Sequence, residues 1–569
     1  MSLFSSIGLA NNTLQANQIA LQVIGQNIAN ANTPGYIREE VVLTPAATQK
    51  KGNLLLGLGV RVEAIIQKID LFLEERLRGA VSDRVSAETL ENTYMQLEGV
   101  IGELSDTDLS TSMTNFFNAI NDVVNEPTNI TLRNLAVLQG GILTGDVNRL
   151  YNRVNEMRSD LNDQVIDMAE DINRLIGTIR LLNVQIANLE GGDVSASDAV
   201  GLRDQRLQAM EELSELIDVR IKEQPSGGVA IYNGGDFLVF EGVAREVEVL
   251  LESEQGLATA SIQLADTDSP ITASSGKLAG LITGRDTTTG GFLTQLDNFS
   301  KSLTYEFNKL YSQGQGINWY DNLTSEFPTI ANNLTLDQAG LEFAPTNGSF
   351  TVLTRNTVTD QTQRTTIQVN LDGIGTDATL STLAADLDAV AGISASTTTA
   401  GRLTISAASS SGEFTFDGDT SGVLAALGLN TFFTGSTARN LGVNSQLQTD
   451  PSKFAASRDT GTGPYVANEQ NALVLAGFLL RPLESQNNQT LAVLYDRLTG
   501  ETTQASSIAR AVAEGARVFE ETLRGQKMAT SGVSIDEEAM RMIAFQRSFQ
   551  ASAKYIATLN DLLGLLVTL

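Results

Sequence analysis

Four stretches carry residue types that could do chemistry. "DGDTSG" at 417–422 sets two carboxylates two residues apart, as a calcium loop does. A loop starting at Asp417 needs a bidentate glutamate at its twelfth position, and Gly428 stands there. A β-turn between strands is the better reading. "SGKLAGLITG" at 275–284 holds Gly276-Lys277, but Leu278 replaces the Ser or Thr of a phosphate loop, and no glycine stands five residues before Gly276. "LRDQR" at 202–206 reads as a mixed-charge helix start with i,i+3 and i,i+4 pairing. Carboxylates are abundant enough for a glycosidase-type pair, yet solvated acidic surface explains them more simply.

The chain has no histidine and no cysteine. That removes imidazole bases, His-ligated zinc, thiolate nucleophiles and disulfides together. We expect no catalytic residue, no metal and no cofactor, and a protein that is not an enzyme. The net charge of −29 repels phosphate backbones and anionic lipid, so no nucleic-acid partner is expected. No apolar run approaches the ~20 residues of a membrane helix, so no membrane insertion is expected. The first positive charge is Arg38, which leaves the N-terminus without the basic region of a secretory signal.

The elements point elsewhere. The 569 residues suit three or four domains, and 42% hydrophobic content argues against wholesale disorder. Leu3, Ile7, Ala10, Leu14, Asn17, Leu21, Ile24 and Ile28 alternate at spacings of four and three. So do Ile535, Ala539, Met542, Gln546, Phe549, Ala553, Ile556, Asn560, Leu563 and Val567. Two heptad seams at opposite ends of one chain can pair, and isolated polar positions can fix their register. The N-terminal seam has no charged flank, which suits packing against protein on several sides. Ser534 is placed to cap the C-terminal helix, with Asp536, Glu537 and Glu538 in its first turn. "NTPGY" at 32–36 predicts a type II turn, with Pro34 fixing φ and Gly35 supplying a positive one.

Between the ends, helical periodicity covers about 66–104, 106–126, 150–190 (stopped by Gly191-Gly192), 200–218, 291–312, 467–483 and 502–527. Short alternating runs at 219–275 read as strands. Residues 340–440 are rich in Thr, Ser and Gly and read as an inserted β domain with one short helix. The expected fold class is α+β multidomain: paired terminal helices in a coiled coil, an elongated helical bundle, and inserted β-rich domains. The expected division is 1–33 with 534–569 as terminal coiled coil, and 34–218 with 441–533 as bundle. Residues 219–339 form a β-rich segment with a returning helix at 291–312, and 340–440 form an outer β domain.

"NIANANTPGY" at 27–36 resembles the N-terminal signature of the bacterial flagellar axial proteins. "SGVSIDEEAMRMIAFQRSFQASAKYIATLNDLL" at 531–563 is similar to the C-terminal signature of the family's hook-associated branch. "LRDQRLQAMEELSELIDV" and "FFTGSTARNLGVNSQLQTDPSKFAAS" resemble internal segments of the same branch. The resemblance implies a structural junction layer between hook and filament. It implies a homo-oligomeric tube or ring with hook protein on one side and a second junction protein or flagellin on the other. It also implies type III export, a chaperone on the C-terminal helix, and an extracellular place on the flagellum without a cleaved signal. Leu3, Ile7, Leu14, Leu21, Ile24 and Ile28 would pack on Met542, Phe549, Ile556 and Leu563 as the assembly interface. Asn30, Asn32, Thr33, Pro34, Gly35 and Tyr36 would form the signature turn.

Overall fold

The structure, a computed structural model, describes residues 3–51, 54–102, 109–191, 197–254, 256–461 and 466–568, without the side chains of residues 3, 4, 51, 54 and 566–568. Gly192 and the first residues of the 106–126 pattern lie outside the described residues, as does the Val567 side chain.

The chain opens with helix α1 (Leu3–Ala29), which has no acid in its first turn and no base in its last. Its stability must come from packing. Strands β1 (Glu39–Pro45), β2 (Thr48–Lys51), β3 (Leu54–Gly57) and β4 (Val60–Gln67) follow, which the sequence reading did not distinguish. β1 pairs antiparallel with β4, from Glu39 opposite Gln67 to Pro45 opposite Val60, with one bulge after Val42. Long helices α2 (Leu71–Gly102), α3 (Leu109–Asn125), α4 (Ile130–Glu190) and α5 (Val200–Leu216) come next. α4 begins well before the seam at Leu150 and runs through Gly140-Gly141, since no proline interrupts it and its buried side, with Ala136, Val137 and Leu143, packs into a core.

β5 (Arg220–Glu223), β6 (Val229–Asn233), β7 (Asp236–Phe240) and β8 (Val243–Ala244) form one antiparallel sheet in chain order. β9 (Val247–Glu254) and β10 (Leu257–Leu264) form a hairpin. α6 (Gly276–Ile282) leads through a π-helical turn at Thr283–Thr289 into α7 (Gly290–Tyr311). A second β region comprises β11 (Asn322–Thr324), β12 (Gly348–Asn356), β13 (Gln361–Val369), α8 (Leu380–Asp388), β14 (Ile393–Thr397), β15 (Leu403–Ala407), β16 (Gly412–Asp417) and α9 (Val423–Leu427). β17 (Phe433–Thr434), β18 (Gly442–Val443), α10 (Ser445–Thr449) and α11 (Gln470–Ala476) return the chain to long helices α12 (Leu491–Ser531) and α13 (Ile535–Thr568). α11 is shorter than its 467–483 pattern because Gly477 and Pro482 interrupt it.

The chain divides into two compact units. The first holds Met1–Thr93, Ser159–Arg285 and Ser507–Leu569; the second holds Tyr94–Arg158 and Asp286–Ser506. In the first unit, Val165, Ile172 and Ile179 of α4 meet Leu213 of α5 and Ile231, Leu238 and Ile262 of the strands. A smaller cluster joins Leu73, Leu77 and Val81 of α2 to Leu523 of α12. Charge pairs reinforce it, Lys527 to Glu74 at 2.9 Å and Arg517 to Glu88 at 3.1 Å. The second unit has an aromatic core, with Phe116, Phe307, Phe432 and Phe433 in mutual contact. It has a separate β core built on Phe350, Val352, Phe414 and Phe416 under Leu383 and Leu387 of α8. Each such buried side chain contributes about 1.5–3 kcal/mol. The molecule is α+β with several cores, paired terminal helices and β-rich insertions.

Candidate assembly site at the paired termini

α1 and α13 pack along each other, and the opposite side of α1 rests on β1 and β4. Ile24 is buried; Ile7, Leu14, Leu21 and Ile28 are half-buried. The Leu3 side chain lies outside the described residues. On α13, Met542, Phe549, Ile556 and Leu563 are half-buried. Asn17, the one polar residue of the N-terminal seam, is buried and donates from Nδ2 to Ser548 Oγ at 3.0 Å. This is a register pin.

The phase of the C-terminal seam differs from the sequence reading. Glu538, Met542, Phe545, Ser548, Phe549, Ser552, Ile556, Leu559 and Leu563 are the residues removed from solvent, whereas Ala539, Gln546, Ala553 and Asn560 are exposed. Both phases share positions 542, 549, 556 and 563. A glutamate at 538 makes the true phase look wrong from sequence. Its partners supply the answer.

Glu538 is wholly buried, and its Oε1 lies 2.6 Å from Nη2 of Arg38, which is 4% exposed. Arg38 Nη1 also donates to the exposed Glu537 at 3.0 Å. Asn27, 1% exposed, ties the group together. Its Nδ2 donates to Glu538 Oε2 at 3.2 Å and to the Glu39 carbonyl at 2.9 Å. Its Oδ1 accepts from the Glu39 amide at 3.0 Å and the Tyr36 hydroxyl at 2.8 Å. The Arg38 amide donates to the Ser531 carbonyl at 3.0 Å. One asparagine, one arginine and one glutamate thus hold the end of α1, the start of β1 and the start of α13. Sequence reasoning missed all three; the signal available was a carboxylate inside an otherwise apolar heptad.

The signature turn arches over this knot. The Tyr36 amide donates to the Thr33 carbonyl at 3.2 Å, and Gly35 has φ +79°. That is type II geometry. Asn32, Thr33, Pro34 and Gly35 are exposed, while Asn30 and Tyr36 are half-buried. Asn30 Nδ2 donates back to the Gln26 carbonyl at 3.1 Å and so continues the end of α1.

Asp204 of "LRDQR" joins from below, accepting from Gln67 Nε2 at 2.6 Å. Its carboxyl is pushed up to about 6, first by burial and then by the Glu39 charge, against the pull of Gln67. Burial also raises Glu39, and it raises the Tyr36 phenol, to which the Glu39 charge adds. Arg203 bonds Glu190 and Glu223, each at 2.7 Å. Ser534 Oγ accepts from the Glu537 amide at 3.4 Å, capping α13.

Elsewhere the suggestive motifs serve backbone. Asp419 accepts from the Ser421, Gly422 and Leu424 amides and so starts α9; the turn therefore joins a strand to a helix, not two strands. Among the described residues no cluster of side chains could hold a metal ion, and no helix is long and apolar enough to cross a membrane. The outer side of α13 exposes Ile535, Met540, Ile543, Tyr555 and Leu562 to solvent. What the geometry can do is hold two helices in one register and offer an apolar face.

The chain is similar to known flagellar proteins. Residues 94–325 match the flagellar hook-associated protein FlgK helical domain. Residues 9–36 match the flagella basal body rod protein family, and 525–569 match the C-terminal family of FlgEFG rod proteins. Flagellar hook-associated protein 1 of Salmonella typhimurium is 22% identical over 99% of this chain and all of that protein. Its Bacillus subtilis namesake is 26% identical over 63% of this chain and 68% of that one. The basal-body rod protein FlgC of Borreliella burgdorferi is 30% identical over its whole length and 25% of this chain. The flagellar hook junction protein FlgK of Burkholderia pseudomallei shares the fold, with a TM-score of 0.52 at 14% identity, over 80% of this chain and all of that one.

Proposed function

Because the chain belongs to the bacterial flagellar axial proteins, in the hook-associated protein 1 branch, we propose that it joins hook to filament as a structural junction layer. The observation that carries this is the terminal helix pair, held by the Asn27–Arg38–Glu538 knot and bearing an exposed apolar face on α13. In a tube, neighbouring subunits would cover that face. Association then supplies the stability that an isolated two-helix pair lacks, since ordering each residue costs about 1–2 kcal/mol. Copies of this chain form the ring or helical layer. Hook protein lies on one side, and a second junction protein or flagellin lies on the other, where the layer gives flagellin a surface on which to polymerise.

The finer parts of the reading rest on the resemblance to flagellar axial proteins. The chain leaves the cell unfolded through the flagellar type III channel and acts outside it. A chaperone covers the apolar side of α13 before export. Its relatives are structural proteins of the flagellum, which supports a role without catalysis. Electron microscopy of a strain lacking the gene, with flagellin assayed in the medium, tests the proposal. Bare hooks with flagellin lost to the medium are expected. Normal filaments would overturn it.

A further inference from the structure

A cavity of about 280 Å³ in the first unit lies among the start of α2, α5 and the β5–β6 strands. Phe72, Met210 and Val229 give it apolar walls. Three guanidinium groups line it, from Arg78, Arg203 and Arg206. Only Arg203 is neutralised, by Glu190 and Glu223. Arg206 is 3% exposed, and its Nη1 meets only neutral acceptors, Asn183 Oδ1 at 3.0 Å and the Gly227 carbonyl at 2.7 Å. Its Nε has no hydrogen-bond partner. Arg78, half-buried, makes no hydrogen bond or ion pair among the described residues.

Of the nearby carboxylates, Glu74 holds Lys527, Glu211 holds Arg524 and Glu223 holds Arg203; Glu223 and the exposed Glu75 also line the cavity. Burial weakens the protonated form of Arg78 against the pull of Glu74, Glu75 and Glu211, and burial followed by the Arg203 charge brings Arg206 down to about 10 against the pull of Glu223 and Glu190. A desolvated guanidinium without a hydrogen-bonded anion is costly, and a carboxylate is the geometric match for its planar fork. The cavity has room for an apolar body behind that carboxylate.

We propose that this cavity binds a carboxylate carried on an apolar body, with Arg78 and Arg206 as its cationic contacts. Two sources share that chemistry: an acidic side chain beside an apolar one on a neighbouring protein, or a free short-chain carboxylate. Binding of a free carboxylate does not depend on the junction role, whereas the neighbouring-protein source rests on it.

The probe is hexanoate, compared with uncharged hexanamide at equal ionic strength, in thermal unfolding of the full chain. Hexanoate is expected to raise the midpoint and hexanamide to leave it unchanged. Arg78→Met should lose that difference while keeping its helical circular dichroism and its unliganded midpoint, because it removes an unpaired cation; an arginine serving only the fold would lower the midpoint instead. Arg78→Lys should keep part of the hexanoate effect. Equal action of the two probes, or an undiminished effect in Arg78→Met, would overturn the proposal. The second arm separates the sources. Arg78→Glu excluded from flagella, and restored by a lysine in place of an acidic residue on a neighbour, identifies a side chain. Normal incorporation of Arg78→Glu, with the hexanoate effect present in the unaltered chain, identifies a free carboxylate.

Discussion

Asn27 uses both ends of its amide, two donations and two acceptances, inside a site closed to water. Replacing it with alanine strands the Glu39 amide and one oxygen of Glu538. An unmade hydrogen bond to a buried group costs about 1–3 kcal/mol. We therefore expect Asn27→Ala to loosen the knot by about 2–3 kcal/mol, seen as roughly 100-fold faster hydrogen exchange at the Glu39 amide. Unchanged exchange would show that the knot does not hold β1. Asp204 makes a different prediction. Its folded value of about 6 lies above the usual unfolded value of about 3.9, so its contribution to stability is full below pH ~4 and is lost as pH rises through about 6. Asp204→Asn keeps the acceptor for Gln67 without the charge. Between pH 4 and pH 7 the unaltered chain should lose urea resistance relative to Asp204→Asn. A constant difference across that range would refute the assignment.

At the scale of elements, α1 is held from two sides. On one side Asn12 Nδ2 donates to the Leu58 carbonyl at 3.0 Å, and Gly59, with φ +90°, lets the hairpin approach. A Cβ there would sit 2.9 Å from the Leu9 carbonyl oxygen and 2.9 Å from Thr13 Oγ1. On the other side Asn17 reaches Ser548 of α13, and Ile24, seven residues further along α1, is buried. A charge at that position has no partner and costs several kcal/mol. Ile24→Asp should abolish incorporation into flagella while the other helices keep their circular dichroism. Normal incorporation would sink the helix-pair account. The helices themselves were legible in sequence because apolar periods of 3.6 persist over many turns. Strands β1 and β4 were not, because two short runs acquire meaning only when α1 lies across them.

For the whole molecule, the cores predict where the chain tolerates loss. The β core of the second unit includes Tyr320, Leu323 and Leu336 as well as the later strands, and β11 pairs with β15. Removing 318–429 with a short linker takes that core out entire, whereas removing 340–440 leaves Leu323 and Leu336 uncovered and cuts Phe432 and Phe433 from the aromatic core. We expect the first deletion to stay folded and enter flagella, and the second to be recovered far less. Loss of residues 540–569 should abolish assembly altogether. An insert that proved indispensable while the terminal helix proved dispensable would move the function to the β region. The sequence by itself determined the class of this protein: without histidine or cysteine, with heptads at both ends and a Pro-Gly turn after the first, it specifies helices that must find partners. Only the tertiary structure decided which phase of the C-terminal heptad faces inward. That choice rests on Glu538, and a buried glutamate is favourable only when an arginine 500 positions away in the chain is brought within 2.6 Å of it.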